Sequence, residues 1–255
     1  MAAWVDTHCH LFLMAEEPAT VLDRAAAAGV EWVVCPGIDL ETALRARAIA
    51  TEHPGRVRWS AGLHPHSATQ WDEQQGRLAS LALEADAIGE CGLDYYRDLS
   101  PRDVQRTAFS GQVALAAEMG KPIIVHVRDA FADAYDVLEH AGLGERAVMH
   151  CWTGGPRWTK RFADLGVTFS FAGPITYETA DAVRRGAAEA PPQRTLVETD
   201  SPYLTPVPHR GEDNRPEWVA LNGHALADVW GVDVASVAAS SAAHADAVFG
   251  APSDD

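Results

Sequence analysis

Two histidines one residue apart, His8 and His10 in Asp6-Thr7-His8-Cys9-His10, carry the first chemistry in this chain. They follow the apolar opening Ala2-Ala3-Trp4-Val5, which reads as a first strand. Side chains alternate along extended backbone, so residues two apart share a face at a separation of about 6.6 Å. Two imidazoles on one face at a strand end can grip one metal ion, or can be two satisfied structural histidines; the pair alone does not choose. More ligand types end other apolar runs: Gly89-Glu90-Cys91-Gly92-Leu93-Asp94, Val125-His126-Val127-Arg128, Met149-His150-Cys151-Trp152 and Val197-Glu198-Thr199-Asp200-Ser201-Pro202. Each is weak alone.

What would bring them together is the order of elements. Short β-branched runs at 4–7, 31–35, 56–62, 87–90, 123–126, 147–150, 168–171 and 195–198 read as strands. Alanine-rich segments of helical period lie between them at 18–28, 40–53, 71–83, 102–119, 130–140, 157–165 and 179–188. Gly29, Gly120 and Gly166 mark helix ends just before the next strand. A proline-rich loop at 201–216 and two helical segments, 216–230 and 233–249, close the chain. This alternation predicts an α/β fold, a (β/α)₈ TIM barrel with a C-terminal helical extension. A doubly wound open sheet is the alternative, but no Gly-x-Gly-x-x-Gly follows the first strand. No repeat or linker divides the chain, so 1–255 reads as one domain with 251–255 frayed.

In a barrel the C-terminal strand ends converge on one rim, where chemistry sits. His8, His10, Glu90, His126, His150 and Asp200 would then meet. Four histidines and two carboxylates suit two borderline divalent ions.

Composition limits the partners. The chain has 36 acidic residues against 20 lysines and arginines, a formal net charge of −16. That argues against long-range attraction to nucleic acid while leaving room for a local basic rim. Cys9, Cys35, Cys91 and Cys151 form no Cys-x-x-Cys pair and read as buried, reduced thiols. No basic-then-apolar leader and no apolar run near the roughly 20 residues of a bilayer span is present, so a cytoplasmic protein with no membrane partner is expected.

With these motifs in order, the chain resembles the TatD family of metal-dependent deoxyribonucleases, in the amidohydrolase superfamily. The resemblance runs nearly end to end. It rests on Asp6 to His10, Gly62-Leu63-His64-Pro65-His66, Gly89 to Tyr96, Pro122 to Ala130, His150-Cys151-Trp152-Thr153-Gly154, Leu196 to Pro208 and Asn214-Arg215-Pro216. It implies a (β/α)₈ barrel with a dinuclear site. One ion would take His8, His10 and Asp200, the other His126 and His150, and Glu90 would bridge them. The metals implied are Zn²⁺, Mn²⁺, Mg²⁺ or Co²⁺. Such ions lower the pKa of a bound water toward about 7, and Asp200 would take its proton as general base. The implied substrate is DNA, single-stranded or attacked from a 3′ end.

Neighbouring residues have less definite expectations. His64 and His66 suit phosphate contact or support of the ligands, with metal ligation and plain structure as alternatives. Asp94 would orient a ligand histidine or pair with Arg97. Arg128 and Asp129 would touch substrate or cap the next helix, and Arg210 suits a phosphate. Arg97, Arg102, Arg157, Lys160 and Arg161 could add to a basic rim, and Tyr95, Tyr96, Trp152 and Tyr203 could stack bases. The chain departs from the family pattern at Glu212-Asp213, where a lysine is common, at His244, where asparagine is usual, and at Trp152, where phenylalanine is common. The acids and the net charge keep a second reading open, a dinuclear hydrolase of a small ester, amide or phosphorylated metabolite. A third is a metal-binding scaffold without turnover.

Overall fold

The run Ile123-Ile124-Val125-His126-Val127-Arg128 forms one strand of a ring whose eight members pair in parallel and in chain order. The computed structural model describes residues 3–250. Its strands are β1 (Trp4–Asp6), β2 (Val30–Pro36), β3 (Val57–Ala61), β4 (Ala87–Asp94), β5 (Ile123–Arg128), β6 (Ala147–Met149), β7 (Thr168–Phe171) and β8 (Thr195–Val197). The intervening helices are α1 (Pro18–Ala27), α2 (Leu40–Glu52), α3 (Trp71–Glu84), α4 (Arg102–Met119), α5 (Phe131–Ala141), α6 (Pro156–Asp164) and α7 (Asp181–Ala187). The helices α8 (Val219–Trp230) and α9 (Val234–Phe249) follow β8.

This is the TIM barrel expected from the alternation. A doubly wound sheet would reverse its strand order at a switch point, and this one does not. The segment 216–230 divides: a short 3₁₀ turn, Pro216–Trp218, precedes α8. The segment 251–255 lies outside the described residues. Among those described, no helix is long and apolar enough to cross a membrane.

Local chemistry fixes the ends of the helices. Asp39 caps α2, accepting from Thr42 N at 2.8 Å while the Thr42 hydroxyl accepts from Asp39 N at 3.0 Å. Gly120 ends α4 at φ 67°, a left-handed turn that costs glycine nothing. The next residue, Lys121, donates to the carbonyls of Ala82 and Leu83 in the last turn of α3. That places a cation at the negative end of the helix dipole.

Strand alternation sorts the core into two layers. Val5, Trp32, Val34, Ala87, Ile124, Val148 and Leu196 form a small cluster with Ala245 and Phe249 of α9, which reads as the barrel interior closed from below by the last helix. Their sequence neighbours Val33, Cys35, Ile123, Val125 and Val197 join the larger cluster beneath the surrounding helices. His126 and His150 each lie two residues beyond an interior side chain, Ile124 and Val148. They continue the inward row at the C-terminal rim. Cys9, Cys35 and Cys91 are buried free thiols and Cys151 is half-buried, with no disulfide among them.

β1 meets β8 at the same rim. Thr7 N donates to Val197 O at 3.2 Å, Asp200 N to His8 O at 2.8 Å and His10 N to Ser201 O at 2.8 Å. A bridge pairs Cys9 with Ser201.

Candidate metal centre

Every sequence-predicted ligand reaches one point at the C-terminal mouth. His8 Nε2 and His10 Nε2 face each other at 3.2 Å. Glu90 Oε2 lies 3.3 Å from His8 Nε2 and 3.7 Å from His10 Nε2; Asp200 Oδ1 lies 3.7 Å and 3.5 Å from the same atoms. Four donors bound tetrahedrally at about 2.0–2.2 Å would be spaced by about 3.3–3.6 Å. These five edges bracket that range, and His8, His10 and Asp200 form a possible ligand set with Glu90 Oε2 beside it.

The other oxygen of Glu90 serves a second group. Its Oε1 lies 3.1 Å from His126 Nδ1, 3.1 Å from His150 Nε2 and 3.4 Å from His64 Nε2. Strict alternation from Ala87 would turn Glu90 away from the interior. A register irregularity between Ile88 and Cys91 breaks that alternation and aims the carboxylate inward. Gly92, at φ 139°, then passes so close to β5 that a Cβ would sit 2.0 Å from the His126 carbonyl oxygen. Only glycine lets β4 carry its carboxylate this near to β5.

His64 was expected at the phosphate or in support of the ligands, with metal ligation as an alternative. It lies with Glu90 and His126 in a possible ligand set. His66 sits one step further out and donates from Nε2 to Asp94 Oδ2 at 2.9 Å. Asp94 also faces His126 Nε2 at 3.4 Å, and its other oxygen accepts from the backbone N–H groups of Tyr96 and Arg97. It therefore orients histidines, and the alternative pairing with the Arg97 guanidinium does not form.

Protonation of the two carboxylates, His8 and His64 agrees with metal ligation. Burial pushes Glu90 up, but His150, His64 and His126 outweigh it and hold the carboxyl well below the usual range. Asp200 is likewise held low, by His10, His150 and His8 against its burial. Burial pulls His64 down to about 4, leaving it neutral. His8 is lowered by burial and by His150. Ionised carboxylates and neutral imidazoles are the forms a divalent ion binds. His10, His126 and His150 differ: burial pulls each down, yet Asp200 and Glu90 raise His10, Asp94 and Glu90 raise His126, and Glu90 and Glu198 raise His150 well above the ordinary histidine value. A metal there must displace a proton.

Glu198 is the residue that sequence reading passed over, as the last position of a strand. Fully buried, it accepts from His150 Nδ1 at 2.9 Å and from Cys151 N at 2.7 Å through the same oxygen. This fixes which nitrogen of His150 faces Glu90. The signal was present: Glu198 lies two residues beyond the interior Leu196, in the same inward row as the histidines. Asp6 is a second buried acid behind the site. It accepts from Thr199 N at 2.8 Å and from the Thr199 hydroxyl, and burial pushes it up to about 8. Asn214, read only as part of a motif, donates to Thr199 O at 2.8 Å and Tyr203 O at 2.6 Å. It staples the turn in which Asp200 takes a left-handed φ of 58°.

The centre opens into a pocket of about 660 Å³ whose rim includes Arg97, Arg128 and Tyr203. Exposed Tyr203 stands edge-on to His10 at 6.3 Å. Arg128 lies 3.9 Å over the Tyr96 ring, and Arg210 lies 3.9 Å over the Tyr177 ring, outside the pocket lining. Other expected contacts are engaged elsewhere. Trp152 is buried in the core and cannot stack a base. Arg102 pairs with Asp98 and Lys160 with Glu189. His244 is buried far down the chain, against the Thr168 hydroxyl at 2.8 Å.

Histidine and carboxylate donors grouped at the C-terminal mouth of a TIM barrel define a metal-dependent hydrolase. Comparison with known proteins narrows this: the family model for TatD-related DNases matches residues 5–250. The chain belongs to that family and is a metal-dependent hydrolase acting on ester bonds. It is 35% identical to the uncharacterized metal-dependent hydrolase YabD of Bacillus subtilis, over 96% of this chain and 98% of that one. It is 37% identical to the 3′-5′ ssDNA/RNA exonuclease TatD of Yersinia pseudotuberculosis, over 73% of this chain and 74% of that one. The crystal structure of YJJV, a TatD homolog from Escherichia coli, superposes with a TM-score of 0.89 at 28% identity, covering 98% and 99% of the two chains.

Proposed function

We propose that this hydrolase uses two divalent ions to cleave phosphodiester bonds of DNA from a chain end, with Asp200 as general base. The observation that carries the reading is the placement of Glu90, each of whose oxygens lies within 3.7 Å of a separate set of imidazole nitrogens. A carboxylate so placed can bridge ions about 3.5–4 Å apart. His8, His10 and Asp200 would hold one ion; His126 and His150 would hold the other, with His64 in reach of it. When bound, the ions would polarise the phosphoryl oxygen and acidify a water.

The chain's own residues would do the rest. Asp200 is held ionised and its side chain is 13% exposed to the pocket, so it can take a proton from the attacking water. Glu198 and Asp94 would keep His150 and His126 turned to the site. Arg128 and Arg210, each laid on a tyrosine ring, keep guanidinium N–H edges for phosphate oxygens. Nucleic acid as substrate is supported by the names of relatives in Yersinia and Rahnella, called 3′-5′ ssDNA/RNA exonucleases.

The net charge of −16 and exposed Glu212-Asp213 favour a second reading, a small ester or phosphorylated metabolite as substrate. The test is hydrolysis of a single-stranded oligonucleotide beside a panel of small esters and lactones, after loading with Zn²⁺ or Mn²⁺. Glu90→Ala should abolish cleavage and Asp200→Asn should reduce it by about 10²–10⁴-fold in folded protein. Undiminished cleavage by either variant refutes the assigned site. Turnover of a small ester with none of DNA refutes the substrate.

A further inference from the structure

The rim carries a second cavity, of about 320 Å³, which the metal centre does not use. The two cavities share their walls. The end of β4 gives Asp94 to the main pocket and the following Tyr95 to the second; β5 gives Arg128 to the main pocket, and Asp129 and Ala130 after it line the second. Three half-buried rings face this space, Tyr95, Phe131 and Trp158. Phe131 and Trp158 lie nearly parallel, with centroids 5.9 Å and planes 27° apart.

Cations collect around these rings. Arg161 and Arg157 lie 4.8 Å and 5.7 Å from the Trp158 centroid, and Arg102 lies 4.4 Å from that of Tyr95. Arg128, in the lining of the main pocket, lies on Tyr96, and its neighbour Asp129 lines the second cavity. Arg102 has Asp98 as partner, whereas Arg128, Arg157 and Arg161 form no ion pair among the described residues. Arg157 and Arg161 share the Trp158 ring, Arg161 lying also 4.0 Å over Tyr135, in a chain with 36 acids to 20 basic residues. Of the two acids in the cavity, Asp133 is occupied by the Tyr95 hydroxyl and by Arg106 at 2.8 Å. Asp129 is exposed at the edge and would repel a phosphate from the interior. The interior therefore suits a flat uncharged ring, and at its margin the unpaired arginines offer anions a partner against the one free acid there among the described residues, Asp129.

We propose that this cavity is a subsite for a nucleobase of the substrate strand, one nucleotide or more beyond the pair flanking the scissile phosphate. The base stacks on Phe131 and Trp158, and the neighbouring phosphates lie along Arg128 and Arg157. Stacking on aromatic side chains tolerates any sequence, because every base has a π-face. The subsite rests on the nucleic-acid reading above.

The test compares kcat/KM for an eight-nucleotide thymidine strand with that for the thymidine dinucleotide, in the metal-loaded protein. Its companion is the binding of the fluorescently labelled eight-mer to metal-free protein, read by anisotropy. Wild type should favour the longer strand. Trp158→Ala should lower both the octamer-to-dimer ratio and octamer affinity by about tenfold, within what one lost base–aromatic stack costs. Arg157→Glu, at an exposed position, should weaken octamer binding and flatten its salt dependence. It stands in if Trp158→Ala does not fold, as judged by circular-dichroism melts. A wild type that cleaves both strands equally, or folded variants within twofold of wild type in both readouts, overturns the subsite alone. A wild type that cleaves neither strand overturns the nucleic-acid reading and the subsite with it.

Discussion

Replacing Glu198 by glutamine tests whether the buried carboxylate behind His150 sets the affinity of the site for metal. The shape is nearly kept, and the amide oxygen can still accept from His150 Nδ1 and Cys151 N, now 2.9 Å and 2.7 Å from the carboxylate. What goes is the charge, so a charge-assisted hydrogen bond becomes a neutral one of roughly half the strength. Outer carboxylates of this kind typically change metal affinity by about 10–100-fold, equivalent to about 1.4–2.7 kcal/mol. A second effect opposes the first. Glu198 also helps raise His150 well above its ordinary value, so the wild type holds a proton that metal must displace. The variant holds that proton less tightly. Its deficit in metal affinity should therefore be smaller at a lower pH, where protons compete more, than at a higher one, where it grows toward the full 10–100-fold. Competition against a chromophoric chelator at both pH values measures this directly. Affinity within twofold of wild type at both would refute the role of Glu198, and an equal loss at both would refute the proton competition.

His64→Ala separates ligand from substrate contact: if His64 holds an ion with Glu90 and His126, metal retained per chain after dialysis should fall, as read by elemental analysis. Unchanged stoichiometry would return His64 to the substrate side. Asp6→Asn reads a different group through stability. The Asp6 carboxyl is pushed up by burial to about 8 from 3.8, so folded protein keeps a proton that the unfolded chain releases. Its contribution makes stability fall as pH rises between those values, by up to about 1.4 kcal/mol per pH unit. The stability of Asp6→Asn relative to wild type, measured by denaturant titration in chelator, should thus improve by about 1–3 kcal/mol from pH 5 to pH 7. Parallel profiles would contradict it.

Much of this was legible in the chain itself. The bounds of α4 and β7 fall at 102–119 and 168–171 as periodicity predicts, because long alanine-rich and short β-branched runs leave little choice. The six expected ligands meet because barrel topology brings strand ends to one rim. The misses have a common cause. Alternation assigns a face, but tertiary packing decides what occupies the space beside it. Glu90 was expected at the rim, yet it faces inward only through a register irregularity that no local pattern announces. Trp152 follows a ligand and looked available, yet it sits against Phe162 and Phe169 in the core. Glu198 resembled an ordinary strand end until His150 was placed against it.

The seam between the first and last strands has a consequence for how the molecule is held shut. His8 and His10 stand on one side of it and Asp200 on the other, joined now by a few backbone contacts such as Asp200 N to His8 O. An ion gripped by all three would work as a clasp, fastening the two ends of the ring across 190 residues of intervening chain. Filling the site would then reinforce the closed seam, and starving the protein of metal would loosen it first along that line.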